Sequence, residues 1–421
     1  MSRSANSIPC MRYFPFITLL VILLILGGCS GFAPTAEPVT IKYAYPQSDQ
    51  TTVEALLPKF NESNPSITVE LQPVSYEGLR DLSITDYDVI GSLYEEDIYR
   101  KYDDGELLDL SPYIENDPSF NLADIYATAR ELMVIEGKTW GIPAGCDMIM
   151  YFYNKDLFDR FGVPYPTDHW NWQDFFYAAQ AITHPEEDIY GYGTFQPEVD
   201  AFLLMYAHGG NIVDSLTNPT QLTMNNPLNV EALDWFARMF YEYGIALDNL
   251  MAESKYDDSG NSLYNAIRNG QIGIWPDIYS VSTEYAESER LKFNWGIAPL
   301  PSDVQGSTYG FCEAYAISAQ SANPEAAWKW LSFLSQQVPN RMMPVRESHF
   351  EAPDYLSRIG AESAAAVRAA LQNRLVFNIQ IFNRPEYGRV LQTFPEMLQQ
   401  VFRGELTAQE ALDQIQEGAG P

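Results

Sequence analysis

The side chains that carry most enzyme chemistry are few in this chain and badly spaced for it. His169, His184, His208 and His349 stand apart without metal-ligand spacing, and no G-x-x-x-x-G-K-[ST], H-E-x-x-H, G-x-S-x-G or C-x-x-C segment occurs. No catalytic residue, cofactor or metal is therefore expected. Glu95-Glu96-Asp97 could be read as the carboxylate pair of a glycoside hydrolase, but a charged helix face is the simpler reading. Aromatic residues are plentiful instead, with 27 Tyr, 22 Phe and 8 Trp. Most must fill cores. The surplus suits a cleft in which rings stack on the C–H faces of a sugar while carboxylates, amides and arginine meet its hydroxyls. The segment Trp275-Pro-Asp-Ile-Tyr279 has this composition, and it follows a short apolar run from Ile272 to Ile274. Pro276 stiffens it, which lowers the entropy lost on binding. Trp275 and Tyr279 are expected to form a stacking platform with Asp277 accepting a hydroxyl between them; the competing reading places Trp275 in the core.

Strands and helices must bring such residues together. Val39 to Tyr45 alternates as a strand; Val53, Leu56, Leu57 and Phe60 recur at helical spacing; Ile67 to Leu71 alternates again, and Asp88 to Ile90 is a third strand. This rhythm predicts a parallel sheet with helical crossovers, in which ligands bind beyond the carboxyl ends of the strands. Tyr45 to Ser48 and Gly91 to Glu95 are the turns leaving those ends, and Asp103-Asp104-Gly105 is a turn and not a calcium loop. Met148 to Tyr153 reads as a strand buried on both faces, and Asn154 caps a helix that Gly162 stops. Between Pro143 and Met148 lies AGCD, expected as a short polar joint where the chain passes between two lobes. A long amphipathic helix runs from Leu228 to a stop at Gly244, a helix starts at Asn323-Pro324, and Thr407-x-x-Glu410 is a capping box.

Six segments in order carry a resemblance: Gly141-Ile-Pro143 with Asp147 and Tyr153-Asn-Lys-Asp-Leu-Phe158; Asn171-Trp-Gln-Asp-Phe175; Gly209-Gly210-x-Ile212-x-Asp214; Trp295-Gly-Ile-Ala-Pro-Leu-Pro301; Asn323-Pro-Glu-Ala-Ala-Trp328 through Leu334; and Met343-Pro-Val-Arg-Glu-Ser348. Together they resemble the family 1 extracellular solute-binding proteins, the maltose-binding-protein-like receptors of ABC importers. The resemblance implies an α/β, two-lobed periplasmic-binding-protein fold, each lobe a mostly parallel sheet flanked by helices. Three hinge crossings, at residues 144–148, 296–301 and 342–346, would join the lobes. One lobe would hold residues 39–145 and 300–343, the other 146–299 and 344–421. The implied cleft takes Tyr45, Gln47, Tyr94, Phe311 and Glu313 from the first lobe and Asp147 with Met148 at the hinge floor. Gln196, Trp275, Asp277 and Tyr279 come from the second lobe, Tyr279 at the family's tryptophan, and Arg346 from the third crossing.

Residues 1–28 read as a signal peptide, with Arg3 and Arg12 before an apolar run from Phe14 to Leu26. Leu26-Gly-Gly-Cys29 fits a lipobox, so Cys29 is expected to be acylated and residues 29–38 to tether the protein to the outer face of a bacterial membrane. The formal net charge of −31 falls further once the two leader arginines are removed, which excludes tracking along nucleic acid. Cys146 and Cys312 are expected as two free thiols, although an exported location permits a disulfide. The functional expectation is a monomeric importer receptor for a small solute, a sugar before others, partnered by ABC permease subunits. A glycerol-phosphate-type solute is the alternative, with Arg346 and Arg384 as its only candidate anchors. A lipid-anchored glycosidase is the alternative from another class.

Overall fold

The computed structural model describes residues 37–214, 220–256, 262–282, 291–372, 374–377 and 385–418. The expected leader and the lipobox cysteine, Cys29, lie outside the described residues. So does Arg384. No helix among the described residues is long and apolar enough to cross a membrane.

Strands in chain order are β1 (Val39–Pro46), β2 (Ile67–Val74), β3 (Val89–Tyr94), the small hairpin β4 (Val134–Ile135) and β5 (Lys138–Thr139), β6 (Ile142–Asn154), β7 (Tyr190–Thr194), β8 (Ala246–Asp248), β9 (Ile272–Ile278), β10 (Trp295–Ala298), β11 (Ser307–Ile317) and β12 (Arg374–Phe377). The main sheet has the order β2-β1-β3-β11-β6-β9-β7-β8, with β10 added to β6 and β12 to β11. Two parallel trios emerge. β1 pairs in parallel with β2 and β3, and β7 pairs in parallel with β8 and β9. Between them the antiparallel pair β11–β6 forms a seam, as β3 meets β11 and β6 meets β9 with strand direction reversed. Helices cover each trio as the parallel topology demands. The helix Gln50–Ser63, for example, buries Val53 and Phe60, and Phe60 meets Trp330 edge-on at 4.9 Å.

The seam departs from the sequence expectation. β6 is one unbroken strand of 13 residues, and the AGCD stretch is part of it. The reason is a change of partner: residues 142–148 pair with β11, residues 149–153 with β9, and residues 151–154 with β10. A polar stretch survives inside a strand because hydrogen bonding is supplied from both sides in turn. Alternate side chains of β6 then serve two cores. Cys146, Met148, Met150 and Phe152 enter one, and Ile149, Tyr151 and Tyr153 the other.

Cys146 and Cys312 stand directly opposite across the seam and form a disulfide, so the expectation of two free thiols is corrected. Strand register put their side chains together, which spacing along the chain could not reveal. Helix ends follow the sequence rules. Asn154 Oδ1 accepts from Leu157 N at 3.2 Å, Gly162 ends that helix at φ 68°, and Thr407 and Glu410 cap one another's amides.

Candidate functional site

The carboxyl ends of β1 and β3 open onto the seam, and the register there collects residues from distant parts of the sequence. Glu313 lies opposite Tyr94, Phe311 opposite Asp147, and Gly310 opposite Met148. Tyr94 and Phe311 meet edge-to-face at 4.6 Å, and Tyr76 packs on the far side of Tyr94 at 6.0 Å. Gly310 is required at its rung, since a Cβ there would sit 2.2 Å from the carbonyl oxygen of Asp147. Beside this floor lies a cavity of about 110 Å³ lined by Tyr43, Asp49, Ser92, Glu313, Tyr315 and Arg341 among others. Ser92 holds a left-handed backbone, φ 55°, a conformation that non-glycine residues rarely keep without a local reason.

Two carboxylates dominate the chemistry. Asp147 is 3 % exposed and accepts from Ser280 N at 2.9 Å, yet burial outweighs this bond and raises its pKa. Burial likewise raises that of Glu313, against a hydrogen bond from Ser92 and attraction from Arg341, while Asp49 and Asp147 add repulsion. Arg341 is the compensating cation, and its Nη2 also lies 3.5 Å from Asp49. Such a floor accepts hydrogen bonds and repels anions. A larger concavity, about 950 Å³ around Tyr113, Trp328 and Phe333, lies between outer helices and away from these strand ends.

The expected site residues divide. Tyr94, Phe311, Glu313, Asp147 and Met148 meet at the seam as described, although Met148 is fully buried and offers its carbonyl, which accepts from Tyr279 N at 2.9 Å. Gln47 is exposed in the turn after β1. Tyr45, at the end of β1, is 1 % exposed, stacks on Tyr43, and its hydroxyl has no partner. Gln196 is exposed at the start of the helix Pro197–Ala207. Asp277 is half-buried, with Oδ1 accepting from Ile278 N at 2.9 Å.

Three placements correct the expectation. Trp275 is fully buried, stacked on Phe152 at 6.0 Å with Phe293 edge-on at 6.2 Å, so its ring is core and not an open platform. β9 continues past the short apolar run to Ile278, so Trp275 to Ile278 is strand paired rung by rung with β6. Tyr279 is 2 % exposed and its hydroxyl lies 3.4 Å from that of Tyr355. Arg346 is turned inward: Nε donates to Ser335 O at 2.8 Å, Nη1 to Asn121 O at 3.1 Å, and Asp124 is 3.4 Å away. Sequence reasoning missed Tyr76, Ser92, Ser280 and Arg341. Only Ser92, which lies in strand β3 within the stretch from Gly91 to Glu95 expected as a turn, and Arg341, next to the third crossing, carried a positional signal.

Glu95 and Asp97 are buried first-turn residues of the helix Glu95–Asp103, with Glu96 half-buried between them. Asp97 accepts from Tyr94 N at 3.2 Å and pairs with Arg100 at 2.7 Å. Glu95 accepts from Cys312 N at 3.3 Å, and burial pushes its pKa up to about 7 from 4.5. A raised carboxyl pKa contributes stability that is complete below pH 4.5 and is lost as pH rises through about 7. Glu95→Gln should therefore flatten the fall in melting temperature between pH 5 and 8, removing on the order of 3 kcal/mol of pH-dependent stability. An unchanged profile would refute the assignment. Trp275→Ala should cost ~3–5 kcal/mol of stability and leave ligand affinity of the folded protein unchanged, measured by denaturant unfolding and calorimetry.

Comparison with known proteins agrees with this fold. The galactooligosaccharide-binding protein of Bacillus subtilis is 23 % identical over 307 residues, covering 71 % of this chain and 70 % of the relative. The sugar-binding protein MalE of Xanthomonas citri superposes with a TM-score of 0.72 at 18 % identity, over 90 % of this chain and 96 % of that one. An ABC substrate-binding protein of Listeria monocytogenes, solved with cycloalternan, gives a TM-score of 0.66 at 23 % identity over 91 % and 98 %. The family model described as bacterial extracellular solute-binding protein matches residues 43–337, from the middle of β1 to beyond the helix Pro324–Ser335 and through every strand of the seam. The chain belongs to that family.

Proposed function

We propose that the protein is the solute-capturing subunit of an ABC importer and takes an uncharged sugar or oligosaccharide in the cleft over the β6–β11 seam. The observation that carries this reading is the presence of a buried carboxylate, Asp147, and a half-buried one, Glu313, beside the half-exposed aromatic pair of Tyr94 and Phe311. Carboxylates accept hydroxyl hydrogen bonds, and rings take the apolar sugar face. Relatives and structural neighbours that bind galactooligosaccharides or cycloalternan support the same class. A phosphorylated solute fits poorly, because Arg346 spends its donors inside the protein and the cavity is acidic. The role is binding without turnover; hydrolysis of an oligosaccharide on incubation would favour the glycosidase alternative.

In this reading the lobes are residues 39–145 with 300–343 and 146–299 with 344–421, with one change, that residues 344–346 go with the first through Val345 and Arg346, and ligand closes the lobes by bending at the seam. The carboxylates at the floor stabilise the closed state only when a ligand bridges them. Cys29 is the acylated first residue of the mature chain, anchoring the receptor beside the permease. Cys29→Ala should leave the leader uncleaved and abolish incorporation of radiolabelled fatty acid; normal processing in that variant would remove the anchor.

A thermal-shift panel of galacto-oligosaccharides, maltose, mannitol and glycerol 3-phosphate tests the ligand class. A true ligand at ~100 times its Kd stabilises by about 2.7 kcal/mol. Glu313→Gln and Asp147→Asn should each weaken that ligand at least tenfold by calorimetry, about 1.4 kcal/mol. Stabilisation by glycerol 3-phosphate alone would overturn the proposal.

A further inference from the structure

The outer surface of the second trio carries a second concavity, of about 640 Å³, between the helices Trp172–Ile182 and Pro227–Tyr241. It shares no lining residue with the cavity at the seam. The inner faces of these helices are accounted for by Phe175, Ala178, Ala179 and Ile182 and by Leu233, Phe236, Ala237 and Phe240. Amphipathic helices place polar residues on the opposite face. Here that face carries Trp172, Phe176 and Tyr177 on one helix and Trp235 on the other, with Tyr243 just beyond it. Trp172 and Trp235 meet at 4.9 Å and 88°, forming a corner, and Phe176 stands edge-on to Tyr243 at 5.0 Å. Tyr177 is 56 % and Tyr243 37 % exposed.

The polar groups at the rim say what such a corner would hold. Arg238 is neutralised by both carboxylate oxygens of Glu242, at 2.6 and 3.0 Å, and lies over the Tyr243 ring. Asp303 is paired with His208. The one cation among the lining residues is thus already paired, which leaves nothing to recruit an anion. Asn171 and Gln173 supply amides, and Gln173 Nε2 donates to Tyr177 OH at 3.0 Å. Ring faces at right angles and an amide rim match a neutral polyhydroxyl ring, which offers C–H faces and hydroxyl hydrogen-bonding groups together.

We propose that this pocket is a second carbohydrate site, taking one pyranose unit of a poly- or oligosaccharide on the outside of the receptor. It uses none of the cleft residues, so it stands or falls independently of the cleft assignment.

Native electrophoresis of the full chain in gels cast with soluble starch, galactan or xylan tests it. At least one polysaccharide should slow the wild type. Tyr177→Ala/Tyr243→Ala should lose that retardation, equivalent to at least tenfold weaker binding, while Glu313→Gln stays retarded. Because both tyrosines are exposed, the double variant should melt with the wild type; should it not fold, Tyr177→Ala alone carries the same expectation. The proposal is overturned if no polysaccharide slows the wild type, or if Glu313→Gln loses retardation while the tyrosine variant keeps it, which would place the sugar in the cleft. A wild-type dimer by sedimentation that the tyrosine variant abolishes, without polysaccharide retardation, would instead make the face a contact between copies.

Discussion

The antiparallel contact between β6 and β11 is the constraint on which the remaining structure rests. Two parallel trios, each able to cover itself with helices, are joined in one sheet through this pair. The contact is reinforced at one rung by the Cys146–Cys312 disulfide, whose partners are 166 residues apart in sequence. Closing a loop of that length is worth about 5 kcal/mol of unfolded-chain entropy. At the same residue, Cys146 N donates to Met343 O at 3.1 Å and Met343 N to Cys146 O at 2.7 Å. Three separate passages of the chain are thus tied at one point.

The cleft chemistry follows from that geometry. Asp147 and Glu313 are neighbours in sequence of the two disulfide cysteines, so the rung that fixes the sulfurs also fixes the carboxylates one residue away. Alternation sends the cysteines into the core, while Glu313 lines the cavity at the strand ends and Asp147 stays buried against Ser280 N. Burial that stabilises the first pair raises the pKa of the second.

Much of the frame was legible because it obeys local rules. Period-2 and period-3.6 patterns located β1 to β3 and their helices, and Asn154, Gly162, Asn323 and Thr407 marked helix ends. What was not legible depends on partners. β6 looks broken because its middle is polar, and only the change from β11 to β9 keeps it whole. Pro276, expected to stiffen a binding segment, sits instead in strand β9, where beyond Ile274 the β7–β9 pairing has ended and a missing N–H is tolerated. Arg346 resembled a ligand anchor because a charge near a crossing reads as exposed; its carbonyl partners, Ser335 and Asn121, come from far upstream. At the seam, Asp147 falls in one of the family segments while Tyr94, Phe311 and Glu313 fall outside all of them, and side-chain direction was readable at none.

The inward turn of Arg346 has a mechanical consequence. Its guanidinium is held by Ser335 and Asn121, and Val345 O accepts from Tyr126 N at 2.9 Å, so residues 343–346 are bolted to the first trio. Through Met343 and the disulfide, Cys146 and Cys312 are bolted there too. This knot cross-links residues 343–346, the first trio and the seam at one place. In the proposed closure, rotation of one trio against the other would fall on its far side, where Met148 faces Gly310 and the strands have already left the cross-link behind. The lever arm of that closure would begin one rung beyond Asp147, and a solute bound there as proposed would pull at the pivot itself.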